Sequence, residues 1–444
     1  MDLTQFVPMF GNFAFMIVAF VVALSVIVAI HEYGHYIVGR WCGIKAEVFS
    51  LGFGPVIYSR MDKHGTLWQI AALPLGGYVK FLGDANAASV GSDNSVDPAF
   101  ARQTMNGAPL WARVLTVAAG PVFNFILAIA IFTGSIMYQG RTIDPVTFGQ
   151  ARDLPAQFAT ELQSGDQIIA IEGIPFNDTD RQESLLELLP LQEELTYTII
   201  RDGQQIDVTG PYLMPTLISA LAPRSAADNA GLRIGDVITA VDGAPVFAFR
   251  QLQERVIAAE GAPLDLTIWR GGETRDVTLA PRATDEPQPG GGFAQTYRIG
   301  ITGQFFFDAQ TESVGLFEAT RLGAEGLWNT ATTSISALHH IIVGQISTCN
   351  LSGPVGIAET SGSMARQGTQ SFIWFIGALS AAVGLINLFP IPVLDGGHLM
   401  FYAYEAVTRR KPSDRAVQVF MFLGLALILT MMSFTVLNDT IFCP

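Results

Sequence analysis

Charged residues are scarce in this sequence of 444 residues. Asp, Glu, Lys and Arg together make up 14% of it, whereas hydrophobic residues make up 50%. The mean hydropathy of +0.37 excludes an ordinary soluble protein. The charge that remains is nevertheless too high for a bundle of membrane spans alone. The composition therefore predicts membrane helices joined to a soluble insert.

Lysine is rarer still, and it is absent from the middle of the chain. All lysines lie in residues 40–113 or after residue 408, and residues 141–311 contain none. That middle region holds 24 acidic residues and 12 arginines. Because basic residues mark the cytoplasmic ends of membrane spans, residues 40–113 and 409–415 are predicted to be cytoplasmic and the acidic middle extracytoplasmic. The sequence has no basic stripe, so nucleic acid is not expected as a partner.

The N-terminus lacks the basic segment of a cleaved signal peptide, since Asp2 is the only charge before the first span. No charged residue occurs from Leu3 to Ile30, a run long enough to cross a bilayer. The first span is therefore predicted to start outside the cytoplasm and to end inside it at Arg40.

Cysteine is also rare, with three residues in the chain. Cys42 follows the first span on the reducing cytoplasmic side and is expected to be a free thiol. Cys349 and Cys443 fall on the outer side, where disulfides persist, and this suggests a bridge between them. Two unpaired thiols are the alternative, because sequence does not show how close the two residues come.

The first span ends in the motif His-Glu-x-x-His, residues 31–35. Positions four apart share one face of a helix, so His31 and His35 can offer two imidazoles to one metal. Glu32 lies beside that face, the position of the general base in zinc proteases that carry this motif. Ionisable groups in an apolar span are costly, which makes them functional candidates. A pair of chance histidines near a membrane interface is the alternative.

A third candidate ligand lies in a broken span. The third span begins near Ser371 and is interrupted by prolines and glycines over residues 387–397. Asp395 lies about 23 residues from the outer end of its span and His31 about 20, so both are predicted at one depth. Two imidazoles and one carboxylate leave a fourth position for water, as in a catalytic zinc site. His398 is too close to Asp395 in sequence to be assigned.

Two further segments carry polar or alternating patterns. Residues 51–81 alternate apolar and polar side chains around a turn at 62–65, which predicts a β-hairpin that dips into the membrane face. Its edge could pair with an extended peptide, and a small cytoplasmic sheet without a substrate role is the alternative. Asn124 lies within the second span, where an amide usually bonds a neighbouring helix.

The middle region contains an internal repeat. Residues 165–175 (GDQIIAIEGIP) match residues 235–245 (GDVITAVDGAP). The signature resembles PDZ domains of the bacterial protease type and predicts two such domains, at 140–212 and 213–283. PDZ domains bind extended peptides by strand addition, and two spacers that only restrict access are an equal alternative.

Taken together, the motifs resemble the site-2 protease family of intramembrane zinc metalloproteases, in its bacterial branch of the regulator of sigma-E type. The resemblance covers nearly the whole chain. It rests on the tandem PDZ signature and on four motifs: His31 to His35, Gly120-Pro121-x-x-Asn124, Ser352 to Gly356, and Asn387-x-x-Pro390-x-Pro392-x-Leu394-Asp395-Gly396.

The resemblance implies a role for each motif. Glu32 would be the general base, and one Zn²⁺ per chain would be bound by three side chains. The implied positions are His31, His35 and Asp395 for zinc, Asn387, Pro390 and Pro392 for substrate binding, and Asn124 and Gly396 near the site.

The predicted fold class is a polytopic α-helical membrane protein with four transmembrane helices, one of them broken. A membrane-associated β-hairpin and two inserted extracytoplasmic PDZ domains complete it. The predicted order is helix 1 (1–39), hairpin and loop (40–108), helix 2 (109–139), the PDZ domains (140–212 and 213–283), a linker with interfacial amphipathic helices (284–370), broken helix 3 (371–408), and a cytoplasmic turn with helix 4 (409–444).

The implied partners are the lipid bilayer, peptide or protein ligands of the PDZ domains, and transmembrane protein substrates. Such substrates would be anti-sigma factors, or signal-peptide remnants, cut inside the membrane. The implied location is the bacterial inner membrane, with both termini and the PDZ domains periplasmic and the active site toward the cytoplasm. A transporter, in which Glu32 would bind an ion, and a PDZ scaffold with a degenerate metal site are the other classes left open.

Overall fold

The computed structural model of the chain describes residues 6–84, 97–176, 182–287 and 293–442. The chain forms two compact units. Unit 1 comprises Met1–Ser135 and Leu316–Pro444, and unit 2 comprises Ile136–Gly315. The α-helices of the described residues are α1 (Phe6–Trp41), α2 (Leu110–Gln139), α3 (Gln182–Leu188), α4 (Ala226–Asn229), α5 (Phe249–Ala258), α6 (Leu316–Ile342), α7 (Pro354–Arg366), α8 (Thr369–Asn387), α9 (Asp395–Thr408) and α10 (Asp414–Leu437).

The β-strands belong to a pair in unit 1, β1 and β2, and to unit 2. They are β1 (Ala46–Met61), β2 (Leu67–Phe81), β3 (Arg141–Thr142), β4 (Phe148–Ala151), β5 (Gln167–Ile171), β6 (Ile174–Pro175), β7 (Glu194–Arg201), β8 (Gln204–Pro211), β9 (Ile218–Leu221), β10 (Val237–Val241), β11 (Ala244–Pro245), β12 (Leu264–Arg270), β13 (Glu273–Leu279), β14 (Arg282–Pro287), β15 (Phe293–Arg298), β16 (Ile301–Gly303), β17 (Phe307–Ala309) and β18 (Thr311–Glu312).

Four helices among the described residues are long and apolar enough to cross a membrane. They span Phe13–Trp41, Leu110–Gln139, Thr369–Asn387 and Arg415–Ile441. The prediction of a membrane protein with β-structure added to apolar helices is confirmed to this extent. The third of these helices stops at Asn387, and α9 starts at Asp395 after a non-helical break.

Glycines let α1 lie close against its neighbours. A methyl group on Gly34 would lie 2.5 Å from the carbonyl oxygen of Ala119 and 2.9 Å from the Phe123 ring, both on α2. A methyl group on Gly39 would meet the Phe81 ring at 2.7 Å. Small residues of this kind allow backbones to approach where lipid supplies no hydrophobic drive between helices.

Each strand of the predicted hairpin bends and pairs through two segments, whereas the alternation of side chains predicted a simple two-stranded hairpin. Residues 46–51 pair antiparallel with residues 77–81 on one side. On their other side they run parallel beside residues 67–70. Residues 67–70 in turn pair with residues 58–61. The bend that makes this possible contains Gly52, whose φ is +90° and whose position leaves no room for a side chain against the Ala71 carbonyl. Within the described residues, 77–81 therefore form one edge of a four-segment sheet.

The segment before α8 contains the helices α6 and α7. On α6, Gly323 packs against Thr133 of α2, where a methyl group would lie 2.7 Å from the Thr133 hydroxyl. The N-terminus of α7 is capped from the far end of the chain, because the backbone N–H groups of Gly353 and Gly356 both donate to the Asp439 carboxylate at 2.9 Å. The Ser352–Gly356 motif thus forms a helix start.

The cysteines agree with the sequence analysis where they are described. Cys42 is a free thiol, and Cys349 is disulfide-bonded. The predicted partner, Cys443, lies outside the described residues. The pairing of Cys349 with Cys443 therefore stays a prediction.

Unit 2 contains the same sheet twice. Strands β6-β5-β7-β8 form repeat 1, and β11-β10-β12-β13 form repeat 2. Each sheet covers its own hydrophobic core, one containing Ile168 and the other Ile238. Residues 301–312, predicted as linker, instead form strands: β16 pairs with β9, β17 with β4 and β18 with β3. The paired strands β4 and β9 would otherwise expose unsatisfied backbone groups.

The repeated Gly-Asp signature has a structural explanation. In repeat 1 the Asp166 carboxylate accepts two bonds from Arg201, at 2.8 and 2.6 Å. In repeat 2 Asp236 accepts two from Arg270, at 2.6 and 2.7 Å. Each Asp also caps the turn before it, through the backbone N–H three residues earlier. The two carboxylates are therefore structural groups that close a turn onto a strand.

Candidate active site

The two histidines of the His-Glu-x-x-His motif lie one helical turn apart on α1 and converge. Their Nε2 atoms are 3.2 Å apart. Asp395, the first residue of α9, reaches the same point, with Oδ2 3.2 Å from His31 Nε2 and Oδ1 3.5 Å from His35 Nε2. One donor atom from each side chain lies within 4.8 Å of the other two. The structure thus brings the three predicted metal ligands together from two helices, α1 and α9.

The non-helical break before α9 positions Asp395 at the site, because Asp395 is the first residue after it. Val393 adopts a φ of +88°, a strained value for a β-branched residue. Gly396 and Gly397 lack side chains where the break folds back, since a methyl group on either would collide with carbonyl groups of that segment. Gly424 of α10 packs tightly on the backbone of Pro392. Packing on both sides therefore holds the break in its strained conformation.

Helix α2 orients the two imidazoles. His35 Nδ1 donates to the backbone carbonyl of Thr116 at 2.9 Å, which leaves Nε2 as a lone-pair donor. The Asn124 side-chain amide lies 3.1 Å from His31 Nδ1. A side chain at Gly120 would overlap both imidazole rings. The Gly-Pro-x-x-Asn motif is thereby explained, since its glycine gives the rings room and its asparagine reaches one of them.

The three donors fit a zinc ion by their chemistry. Two imidazole nitrogens with one carboxylate are a common catalytic zinc set. With His35 Nδ1 protonated toward Thr116, its Nε2 is an acceptor that faces the acceptor oxygens of Asp395. Asp395 Oδ2 is buried and makes no hydrogen bond within the described residues. Acceptor atoms that converge in this way repel each other, and a cation at their centre would stabilise the cluster.

Glu32 lies beside this cluster and against the sheet edge. The backbone N–H of Val79 lies near its carboxylate, and a methyl group on Gly77 would lie 3.1 Å from its Cγ. A cavity of about 690 Å³ opens onto the site, and its lining includes His31, Glu32, His35 and Asp395. The predicted base therefore shares one cavity with the candidate ligands.

The other predicted residues divide into two groups. Asn387 and the unassigned His398 line the cavity. Pro390 and Pro392 lie in the break itself, and Gly396 is buried against it. The adjacent pair His339 and His340 lies at the end of α6 and does not join the described metal-ligand group.

Sequence reasoning placed Asn124 of α2 near the site, but it missed Thr116 and Arg113 of the same helix and Glu405 at the far end of α9. Thr116 supplies a backbone carbonyl, so its side-chain identity carries no signal. Arg113 and Glu405 also line the cavity and bind each other. The sequence offered one signal for this pair: Arg113 and Glu405 are charged residues within largely apolar helices, and such charges need partners.

Comparison with known proteins agrees with this geometry. The profile of Peptidase family M50 matches residues 19–431. A Rhizobium meliloti protein provisionally named a zinc metalloprotease is 34% identical over 433 residues, covering 96% of this chain and 97% of the relative. The regulator of sigma-E protease RseP of Salmonella typhimurium is 34% identical over 449 residues, covering 95% and 97%. The chain therefore belongs to peptidase family M50, the site-2 protease family, and is a zinc metalloendopeptidase.

Proposed function

We propose that this protease cleaves the membrane-spanning segments of single-span proteins inside the bilayer. The observation that carries the proposal is the meeting of His31, His35 and Asp395 beside Glu32, on helices that are apolar enough to span a membrane. A peptidase site built on such helices is accessible to a membrane-embedded chain. One zinc ion per chain would be held by the three candidate ligands.

The chain's own residues divide the chemistry between them. Zinc, when bound, supplies a Lewis acid that acidifies water and polarises a carbonyl group. Glu32 takes the proton from the attacking water and returns it to the leaving amine. The Glu32 carboxylate lies near the backbone N–H of Val79, on the cavity that the candidate ligands share. Thr116 keeps the His35 Nε2 lone pair directed at the ligand cluster.

The substrate would bind in extended form. A helical peptide hides its carbonyl groups, so a span must unwind locally before it is cut. The edge at residues 77–81 offers backbone groups for strand addition directly beside Glu32. Asn387 lines the same cavity and is suited to contact the substrate backbone. Exposed apolar side chains of the hairpin, Phe53 and Ile57, favour its contact with lipid.

The substrate class and setting follow from the relatives and from charge. The Salmonella relative is named a regulator of sigma-E protease, which favours an anti-sigma factor as substrate, with signal-peptide remnants as a second group. The inner membrane is the proposed location, and the lysine distribution favours an orientation with both termini and unit 2 in the periplasm. The two repeats are proposed to be PDZ domains that control access, by binding peptide or by excluding bulk. Deleting residues 140–312 should relax the rejection of substrates that carry a folded periplasmic domain, and unchanged rejection would count against this role.

The test of function uses purified full-length protein and a single-span reporter in proteoliposomes. We expect a zinc-dependent cut within the reporter's apolar segment, located by mass spectrometry of both fragments. A chelator should abolish it and added zinc should restore it. A transporter or a scaffold predicts no cut under any of these conditions. A cut confined to the loops outside the bilayer would contradict intramembrane cleavage.

A further inference from the structure

Helix α9 presents a row of polar side chains to the cavity. Asp395, His398, Tyr402 and Glu405 all line it. Their spacing of three or four residues places them on one face of the helix. Asp395 stands at one end of this row, among the candidate zinc ligands. Glu405 stands at the other end, ten residues or about 15 Å along the axis.

Glu405 is bound bidentately by Arg113 of α2. Arg113 Nη1 and Nη2 donate to the two carboxylate oxygens at 2.9 and 2.7 Å. The guanidinium also donates from Nε to the Ala108 carbonyl at 3.2 Å and lies 5.1 Å from the centre of the Tyr402 ring. The two charged side chains are 6% and 15% exposed. A bidentate guanidinium–carboxylate pair that is largely shielded from solvent is strong and geometrically specific.

The same face of α2 contacts every candidate ligand or its helix. Thr116 fixes His35, and Asn124 lies against His31. These contacts place the imidazoles relative to α2. Asp395 has no comparable contact to α2 in the described residues, and the segment before it is a strained non-helical break. Its place relative to the imidazoles therefore depends on the packed break before it and on how α9 is held against α2.

We propose that Arg113 and Glu405 are positioning residues of the zinc site. Their bidentate bond fixes the height and rotation of α9 on α2, and through the rigid helix it holds the Asp395 carboxylate opposite the two imidazoles. The proposal rests on the proposed zinc site. It adds a pair of residues that touch neither metal nor substrate and that set how tightly the metal is bound.

The test measures zinc affinity of the full-length protein in detergent by competition with a chromophoric chelator. Arg113→Lys keeps the charge and loses the fork, and Glu405→Gln keeps the shape and loses the charge. We expect each to raise the zinc dissociation constant about tenfold, the usual size of effects from groups that support metal ligands. The charge reversals R113E and E405R should be worse singly, and the double reversal should recover affinity.

The matched control is the exposed pair Arg321 and Glu325 on α6, whose side chains are 58% and 52% exposed. Arg321→Lys and Glu325→Gln should bind zinc as the unmodified protein does. The proposal is overturned if Arg113→Lys and Glu405→Gln retain full zinc affinity while only the thermal unfolding temperature falls, or if the double reversal binds no better than the single ones. Failure of the proposed function would show separately, as zinc-loaded unmodified protein that does not cleave the reporter.

Discussion

Unit 2 and the candidate zinc site bury carboxylates in opposite ways. In unit 2, Asp166 and Asp236 are 2% and 1% exposed, and each is bound by two bonds from one arginine. In unit 1, Asp395 is 17% exposed and faces the Nε2 atoms of two histidines. The charge of each unit 2 carboxylate is balanced by an arginine of the same repeat, Arg201 or Arg270. Asp395 faces His35 Nε2, which keeps a free lone pair because His35 Nδ1 donates to the Thr116 carbonyl.

This difference separates a structural carboxylate from a functional one. A carboxylate saturated by guanidinium N–H groups has no capacity for a metal, however well its motif is repeated in the sequence. A carboxylate converging with imidazole lone pairs is stable only when a proton or a metal ion is placed between them. Burial alone would have ranked the Gly-Asp aspartates above Asp395. The partner of each carboxylate, more than its depth, indicates its role.

The largest effect is expected at Asp395. Asp395→Ala removes one of three candidate ligands and should abolish both zinc retention and cleavage. Zinc content by elemental analysis after dialysis, measured beside reporter cleavage, checks this. Asp236→Asn is the matched control, because it removes a buried carboxylate of unit 2 and should leave zinc content unchanged. Full zinc occupancy in Asp395→Ala would refute the ligand assignment.

A medium effect is expected in unit 2. Asp166→Asn should destabilise repeat 1 by about 2–3 kcal/mol, because charged hydrogen bonds to Arg201 are lost. Burial raises the pKa of Asp166, but the hydrogen bonds and charge of Arg201 outweigh it and lower the pKa below its usual value. The stabilisation is therefore present at neutral pH and is lost as pH falls below about 4.

Hydrogen exchange of strands β5 and β7 in the full-length protein measures this loss. The unmodified protein should be protected from exchange more strongly than Asp166→Asn at pH 7. This difference in protection should become smaller in acid. Equal protection of the two proteins at pH 7 would mean that the ion pair contributes nothing. Zinc content should be the same in both.

The smallest effect is expected at Asp62, a third kind of carboxylate that is held by neutral donors. Burial opposes its ionisation, but N–H bonds from Thr66 and His64 and bonds from Tyr36 and Trp68 lower its pKa to about 2. Asp62→Asn should cost about 1 kcal/mol at neutral pH. The cost should disappear as pH falls from about 4 toward 2, because the carboxylate is then protonated in both states.

Tyr36→Phe is the control for Asp62→Asn, since it removes one donor at 2.9 Å and leaves the carboxylate ionised. Protease protection of the hairpin in the full-length protein gives the comparison. An Asp62→Asn protein that loses zinc would show that this turn acts on the site, contrary to the distinction drawn between the three kinds of carboxylate.

The sequence predicted the features that depend on local pattern. Apolar runs predicted the four helices that are long and apolar enough to cross a membrane, and helical spacing placed His31 and His35 on one face. Prolines and glycines marked the break before Asp395, since neither residue type supports an unbroken helix there. The repeat predicted two equivalent sheets because the same turn chemistry recurs in both.

Contacts between distant elements were beyond the sequence. The His35 acceptor is the backbone carbonyl of Thr116, which any residue would provide. The capping of α7 by Asp439 joins positions more than 80 residues apart in the chain. The hairpin's extra pairing depends on a bend at Gly52, and alternation of side chains cannot distinguish two strands from four segments. Such features are decided by tertiary packing.

The central claim is that Glu32 acts as a base beside a zinc ion that it does not bind. Glu32→Gln keeps the shape of the side chain and removes its basicity, which for a general base is worth about 10²–10⁴ in rate. Zinc content and reporter cleavage should be measured on one preparation of this variant. The account predicts one zinc per chain with cleavage lost. Cleavage at the unmodified rate with zinc bound would contradict it.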